Sequence, residues 1–181
     1  FILFFLSSSL EAKNLFIEAK NINLDKNTEV SIFENEVTIT TAENNIIKSD
    51  YAEYNKKTGI IILKNNIEAI DNKYNKLFSN YAIYNENLKT IKTIGETKII
   101  TSENYIIDGD NITFDDLNKY IGSKNKTIIT DQDKNVIYLN NFEYLISDFI
   151  FKSVGEIKVE DNFKNTYNFS QIYIDTKKKE L

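Results

Sequence analysis

Apolar side chains recur along this chain at alternating positions in short segments, and the segments themselves recur every thirty residues without a gap. Copies begin at Phe16, Ile46, Lys76, Ile106, Val136 and Thr166. One column of equivalent positions reads Ile17, Ile47, Leu77, Ile107, Ile137 and Tyr167. Five positions on, Ile22, Ala52, Ala82, Ile112, Phe142 and Ile172 form a second. Two residues later come Leu24, Tyr54, Tyr84, Phe114, Tyr144 and Ile174. Spacing by two places side chains on one face of a strand, so each copy is predicted to open with a strand whose apolar face points inward.

A turn should close that strand, because Asp25, Asn55, Asn85, Asp115 and Asp175 follow at once, with Leu145 alone out of pattern. Short carboxylate and amide side chains bond their own backbone in turns. The second half of each copy reads as another strand, with Val37, Ile67, Thr97, Thr127 and Ile157 two residues ahead of Ile39, Ala69, Ile99, Ile129 and Val159. Just before it stand Asn35, Asn65, Gly95, Asn125 and Gly155. These residue types adopt positive φ most cheaply, which predicts a bulge or kink in every copy. Clusters such as Asp71-Asn72-Lys73, Asp131-Gln132-Asp133 and Asp161-Asn162 then end the second strand. Helical periodicity is weak throughout; its best stretch, Asp148 to Val154, is too short to matter.

Two strands and two turns per copy predict an all-β fold: an open antiparallel twisted β-jelly-roll of about five to six thirty-residue, two-strand repeats. Its eleven or so strands at ~4.8 Å spacing make a stack roughly 50 Å long. The inward columns mix large and small residues, and Ala19, Ser49, Ser79 and Gly109 form a further small column. Small inward residues leave space, so the interior reads either as a continuous apolar groove or as a packed core. An unclosed stack also ends in two edge strands. With no Pro in the chain, strand addition by a like-folded neighbour is expected there.

Composition narrows the chemistry. The 181 residues contain no His and no Cys, which removes the commonest general base, the thiol nucleophile and most zinc or redox-metal sites. No cofactor is implied. Carboxylate pairs remain at Asp108 with Asp110, Asp115 with Asp116, and Asp131 with Asp133, each read as lying at or near a turn, where Asp is expected anyway, and none in the spacing of a calcium loop. All 22 basic residues are Lys, in keeping with an AT-rich genome, and a net charge of -5 gives no general pull toward nucleic acid. The sequence holds no Met, and Phe1 to Leu6 is an apolar run followed by Ser7, Ser8, Ser9, Leu10, Glu11 and Ala12. Residues 1–12 are read as the tail of a secretory signal with Ala12 last before cleavage, against an apolar first strand or a membrane anchor, for which six residues fall far short of the ~20 a spanning helix needs. Residues 13–181 are then the repeat domain, a fragment of a longer protein.

The run Ile47-Lys48-Ser49-Asp50-Tyr51-Ala52-Glu53-Tyr54-Asn55-Lys56-Lys57-Thr58-Gly59 resembles the repeat unit of the OstA-like (organic solvent tolerance) superfamily. Phe16 to Ile22 resembles its usual opening, and Phe33 to Val37, Leu63 to Ile67 and Val154 to Ile157 resemble the second half of its unit. The motifs are degenerate one by one, and their specificity lies in repetition. This resemblance implies a non-catalytic periplasmic roll that shields the acyl chains of lipopolysaccharide and joins like-folded transport proteins edge to edge. It suits the domain preceding the barrel of an outer-membrane assembly protein or, alternatively, a free periplasmic bridge. The groove would then be lined by Ile22, Leu24, Val37, Ile39, Ala52, Tyr54, Ile67, Ala82, Tyr84, Ile99, Ile112, Phe114, Ile129, Phe142 and Tyr144. Thr97 and Thr127 depart from the aliphatic pattern and interrupt that lining. A structural or adhesive β-solenoid with a filled core, and a polysaccharide-acting enzyme with two carboxylates in a cleft, are the readings from other classes.

Overall fold

The structure is a computed structural model that describes residues 15–25 and 27–177. The signal-like segment 1–12 and the Lys-rich end 178–181 lie outside them. Sixteen antiparallel strands make up the described chain, and the fold is the all-β roll that the repeat predicts. They are β1 (Leu15–Glu18), β2 (Asn21–Asp25), β3 (Val30–Thr41), β4 (Ile46–Asn55), β5 (Ile60–Ile70), β6 (Lys76–Asn85), β7 (Thr90–Thr93) and β8 (Glu96–Ile100). There follow β9 (Ile106–Asp110), β10 (Thr113–Asp115), β11 (Tyr120–Ser123), β12 (Thr127–Thr130), β13 (Val136–Leu139), β14 (Phe142–Leu145), β15 (Ile150–Glu160) and β16 (Thr166–Asp175).

The long strands β3, β4, β5, β6, β15 and β16 each bend in the middle and so belong to two facing sheets. One sheet runs β2, β3, β4, β5, β6, β7, β10, β11, β14, β15, β16. The other runs β1, β3, β4, β5, β6, β8, β9, β12, β13, β15, β16. Eleven strands per sheet at ~4.8 Å spacing give a roll of roughly 50 Å. The bends form its closed edge. Turns form the other edge as two rows, one on each sheet.

The bend has a local cause. Pairing slips by one residue between Glu34 and Val37, Lys64 and Ile67, and Val154 and Ile157. Asn35, Asn65, Gly95 and Gly155 hold positive φ there, as the sequence predicts. Asn125 does not; its backbone N–H instead donates to Ser123 Oγ at 3.0 Å, and the chain turns on that bond. Broken pairing leaves carbonyls without ladder partners, and buried hydroxyls take them up. Ser153 Oγ donates to the Asn141 carbonyl and Ser123 Oγ to that of Asp110, both at 2.6 Å, while Ser79 Oγ donates to that of Glu96 at 3.2 Å.

The turns repeat with the copies. Glu29, Gly59, Lys89, Lys119 and Phe149 hold φ between +51° and +67°, and Asn44, Tyr74, Asn104, Lys134 and Lys164 between +62° and +69°. Expected acceptors close them: Asp25, Asn55, Asn85 and Asp115 each take a backbone N–H two or three residues on. Leu145 supplies no acceptor, and its turn keeps the backbone bond that the other copies make as well, with the Ile146 N–H donating to the Lys119 carbonyl at 2.7 Å as the Glu86 N–H does to that of Gly59 at 2.8 Å.

Candidate functional site

The interior is where the predicted lining converges. Val37, Ile39, Ala52, Tyr54, Ile67, Ala82, Tyr84, Ile99, Ile112, Ile129 and Phe142 are buried, and Phe114 and Tyr144 are half-buried. Ile22 and Leu24 are 53% and 44% exposed. Their register opposite Phe33 and Ser31, both buried, puts them on the inner face. Among the described residues β2 is the last strand of its sheet, which leaves them uncovered. At the other end Phe169 and Tyr167, opposite Ile157 and Val159 on β16, are exposed for the same reason.

Sequence reasoning missed part of the lining. Ile61, Leu63 and Phe151 are buried on β5 and β15, in the half-strands between the first turn and the bend. The column Ser31, Ile61, Ile91, Ile121 and Phe151 carried the signal, but Ile60-Ile61-Ile62-Leu63 is apolar on both faces and hides the alternation. Each copy therefore crosses both sheets twice, in continuous strands such as β4 and β5 or in pairs of short strands such as β9 and β10.

The interior is filled. Ile39, Ala52, Ile61, Leu63 and Ala82 are fully buried, and Phe142 stacks on Phe151 with ring centres 6.0 Å apart. Of the two readings of the small column, groove or packed core, the packed one fits. Gly109 faces Thr127 so closely that a Cβ on it would lie 2.8 Å from the Thr127 hydroxyl, and Ser49 and Ser79 are buried at the bend. Gly109 and Thr127 are paired on the neighbouring strands β9 and β12, so the small residue there makes room for the Thr127 side chain. The apolar side chains form two clusters, one ending at Tyr84 and Ile91, the other beginning at Leu77 and Ile99. Near the boundary lies a polar network in which Thr97 Oγ1 donates to Thr93 Oγ1 at 2.7 Å and the Ile112 N–H donates to Thr93 Oγ1 at 2.9 Å. Thr97 and Thr127 thus interrupt the apolar lining, as their departure from the pattern predicts, with their hydroxyls bonded to other protein oxygens.

Polar groups gather at the open edge. Tyr54 Oη donates to Glu86 Oε2 at 3.0 Å, and burial followed by this carboxylate pushes the phenol up to about 12. Burial, then the carboxylates of Glu43, Glu86 and Asp116, push Tyr84 up to about 12 as well. Glu43 sits in the β3–β4 turn and accepts from Lys89 Nζ of the β6–β7 turn at 2.5 Å, which holds its carboxyl below the usual range.

The outer face of the second sheet carries two shallow clefts near the bend, of about 650 Å³ and about 340 Å³. The larger is lined by Glu68, Glu96, Asp108 and Asp110 together with Lys98 and Lys126. Asp108 and Asp110 stand on strand β9, Asp110 as its last residue before the bend at Asn111. Asp115 and Asp131 do serve turns, accepting from Asn118 and Asn135. Among the described residues no group of three His, Cys, Asp or Glu could hold a metal ion.

The arrangement defines an open, two-sheet β-roll with a long apolar interior. No protein-family model matches the chain, and no curated protein matches its sequence. Among solved structures the roll is similar to LptH of Pseudomonas aeruginosa, the LptA-homologous periplasmic component of the lipopolysaccharide transport device. The TM-score is 0.50 at 14% identity, over 56% of this chain and 75% of that one, and it shows a common fold, the LptA-like twisted β-jelly-roll. Superposition on the TCP10 domain of Danio rerio CPAP, bound to a STIL peptide, reaches a TM-score of 0.17 at 8% identity over 86% and 99% of the two chains. That overlay is too loose to bear on function.

Proposed function

We propose that this chain is a non-catalytic periplasmic carrier that shields the acyl chains of lipopolysaccharide on their way to the outer membrane. One observation carries the reading: two eleven-stranded sheets face each other across an apolar interior whose inner side chains emerge uncovered at both ends, Ile22 and Leu24 at one and Tyr167 and Phe169 at the other. The fold it has in common with LptH, a periplasmic component of a lipopolysaccharide transport device, supports it. The OstA-like repeat motifs add to that support. In this reading residues 1–12 are the remnant of a secretory signal, residues 13–181 are the carrier domain, and β2 and β16 pair with like-folded transport proteins. The parent is an outer-membrane assembly protein with a barrel in the same chain, or a free periplasmic bridge.

Because the interior is filled in this structure, an acyl chain must part the two sheets to enter. A photo-crosslinking side chain at Phe114, which is half-buried on the inner face, is expected to form adducts with lipopolysaccharide in living cells. The same group at the outward-facing Tyr138 is the control. Equal labelling at both positions, or none at Phe114, sinks the carrier reading. Complete burial of Ala52 and Ala82 favours a second reading, a structural β-roll with a permanently packed core. It predicts no adduct at either position.

A further inference from the structure

The open edge of the roll is held at one place by charge. The Lys89–Glu43 pair joins a turn of the first sheet to a turn of the second, 46 residues apart in sequence, with side chains only 24% and 35% exposed. Among the described residues the other five ion pairs join neighbours within a strand or turn, on adjacent strands, or beside the bend. Tyr84 lies close beneath, within electrostatic reach of Glu43 from the opposite sheet. The turns beside the pair carry Leu88 and Leu117 on the first row and Tyr74 on the second, all strongly exposed. Apolar side chains gathered at a rim offer an arriving apolar chain a landing surface.

The two edges of the roll differ in kind. At the bend, covalent strands cross from sheet to sheet through residues of positive φ and slipped register, which suits a hinge. Along the turn rows, an ion pair in contact with water bridges the sheets, and such a pair is weak. Threading an amphiphile lengthwise through a filled interior would displace every buried side chain in turn. Parting the rows displaces far fewer and leaves a polar head in water.

We propose that the Lys89–Glu43 pair is a clasp closing the long side of the roll over Tyr84, and that its release admits an acyl chain sideways between Leu88, Leu117 and Tyr74. The proposal rests on the carrier reading for what is admitted, and on geometry alone for the clasp.

The chain has no Cys, so Glu43→Cys with Lys89→Cys introduces two unique thiols. A reducible bifunctional thiosulfonate then bridges them, since a Lys–Glu pair spans more than a disulfide can. With a fluorescent long-chain fatty acid as probe, bridging is expected to slow uptake at least about tenfold, and reduction to restore it. An unchanged rate overturns sideways loading. Lys89→Gln should speed uptake about two- to five-fold, the range such an ion pair spans, and the charge-swapped Glu43→Lys, Lys89→Glu protein should return to the original rate. Spin labels at Ala42→Cys and Lys57→Cys report the clasp without any ligand. Their distance distribution should be narrow with the pair intact and should lengthen and broaden in Lys89→Gln; an identical distribution overturns the clasp. No uptake by the unbridged protein sinks the carrier reading and sideways loading together, and the spin labels still decide whether the clasp holds the seam.

Discussion

Thr93 shows how much one hydroxyl does at the bend. Its Oγ1 accepts from the Ile112 N–H and from Thr97, and it donates to the Ile112 carbonyl at 3.2 Å. Thr93→Val keeps the shape but strands a buried N–H, so unfolding in urea should show a loss of about 1–3 kcal/mol. An isosteric change without measurable loss would mean that water replaces the hydroxyl. The buried phenols make a second prediction at this scale. Tyr54 and Tyr84 have pKa values raised to about 12 by burial first and neighbouring carboxylates second. An unfolded Tyr titrates near about 10, so the stabilising contribution is fully present below that and is lost as pH rises toward about 12. The urea midpoint should therefore fall between those values, and fall less in the Tyr54→Phe, Tyr84→Phe protein; equal falls refute the assignment. Why these two Tyr are buried and Tyr74 exposed was readable from their columns, because only the first two stand two residues after an inward position. The ion pair between Glu43 and Lys89 was not, because nothing in either local pattern names a partner 46 residues away.

At the scale of the strand and turn, local chemistry and the final structure agree closely. Asp71, Asp131 and Asp161 each accept the N–H of the residue four further on, at 2.8–2.9 Å. Positive φ recurs at the same place in every turn, so the thirty-residue period is a backbone property as well as a hydrophobic one. Asn125 lacks the positive φ of its counterparts, yet the chain still turns there, with its N–H bonded to Ser123 Oγ. Of the two readings of the small column, the packed one fits: Ser49 and Ser79 are buried, and Gly109 abuts Thr127 of the neighbouring strand β12. Gly109→Val would push side-chain atoms into Thr127, and overpacking of this kind costs about 1–3 kcal/mol, readable as a lower melting temperature. Pairing with Thr127→Ser, which removes the methyl that meets it, should recover part of the loss.

For the whole molecule, the decisive quantity is whether the interior is open at rest. Ala52 is fully buried between Phe33 and Leu63 on the neighbouring strands. A carboxylate there would be buried and unpaired, at a cost of several kcal/mol. Ala52→Asp should therefore yield little folded protein, seen as loss of the β-sheet signal in circular dichroism. A folded, stable variant would show a solvated channel along the roll instead. Full burial of an Ile or Phe contributes about 1.5–3 kcal/mol, so the two apolar clusters also resist separation wherever strands cross the bend. Opening along the turn rows leaves that edge intact.

The sequence by itself determined the all-β class, the thirty-residue period, the turn positions and which columns face inward, because alternation and turn chemistry act over a few neighbouring residues. Tertiary structure alone decided which strands run unbroken through both sheets, that Ile22 and Leu24 are uncovered at an end, that the interior is filled, and that Lys89 meets Glu43 across the seam. Those outcomes follow from the twist and approach of whole sheets, where the position of one side chain depends on strands far away along the chain.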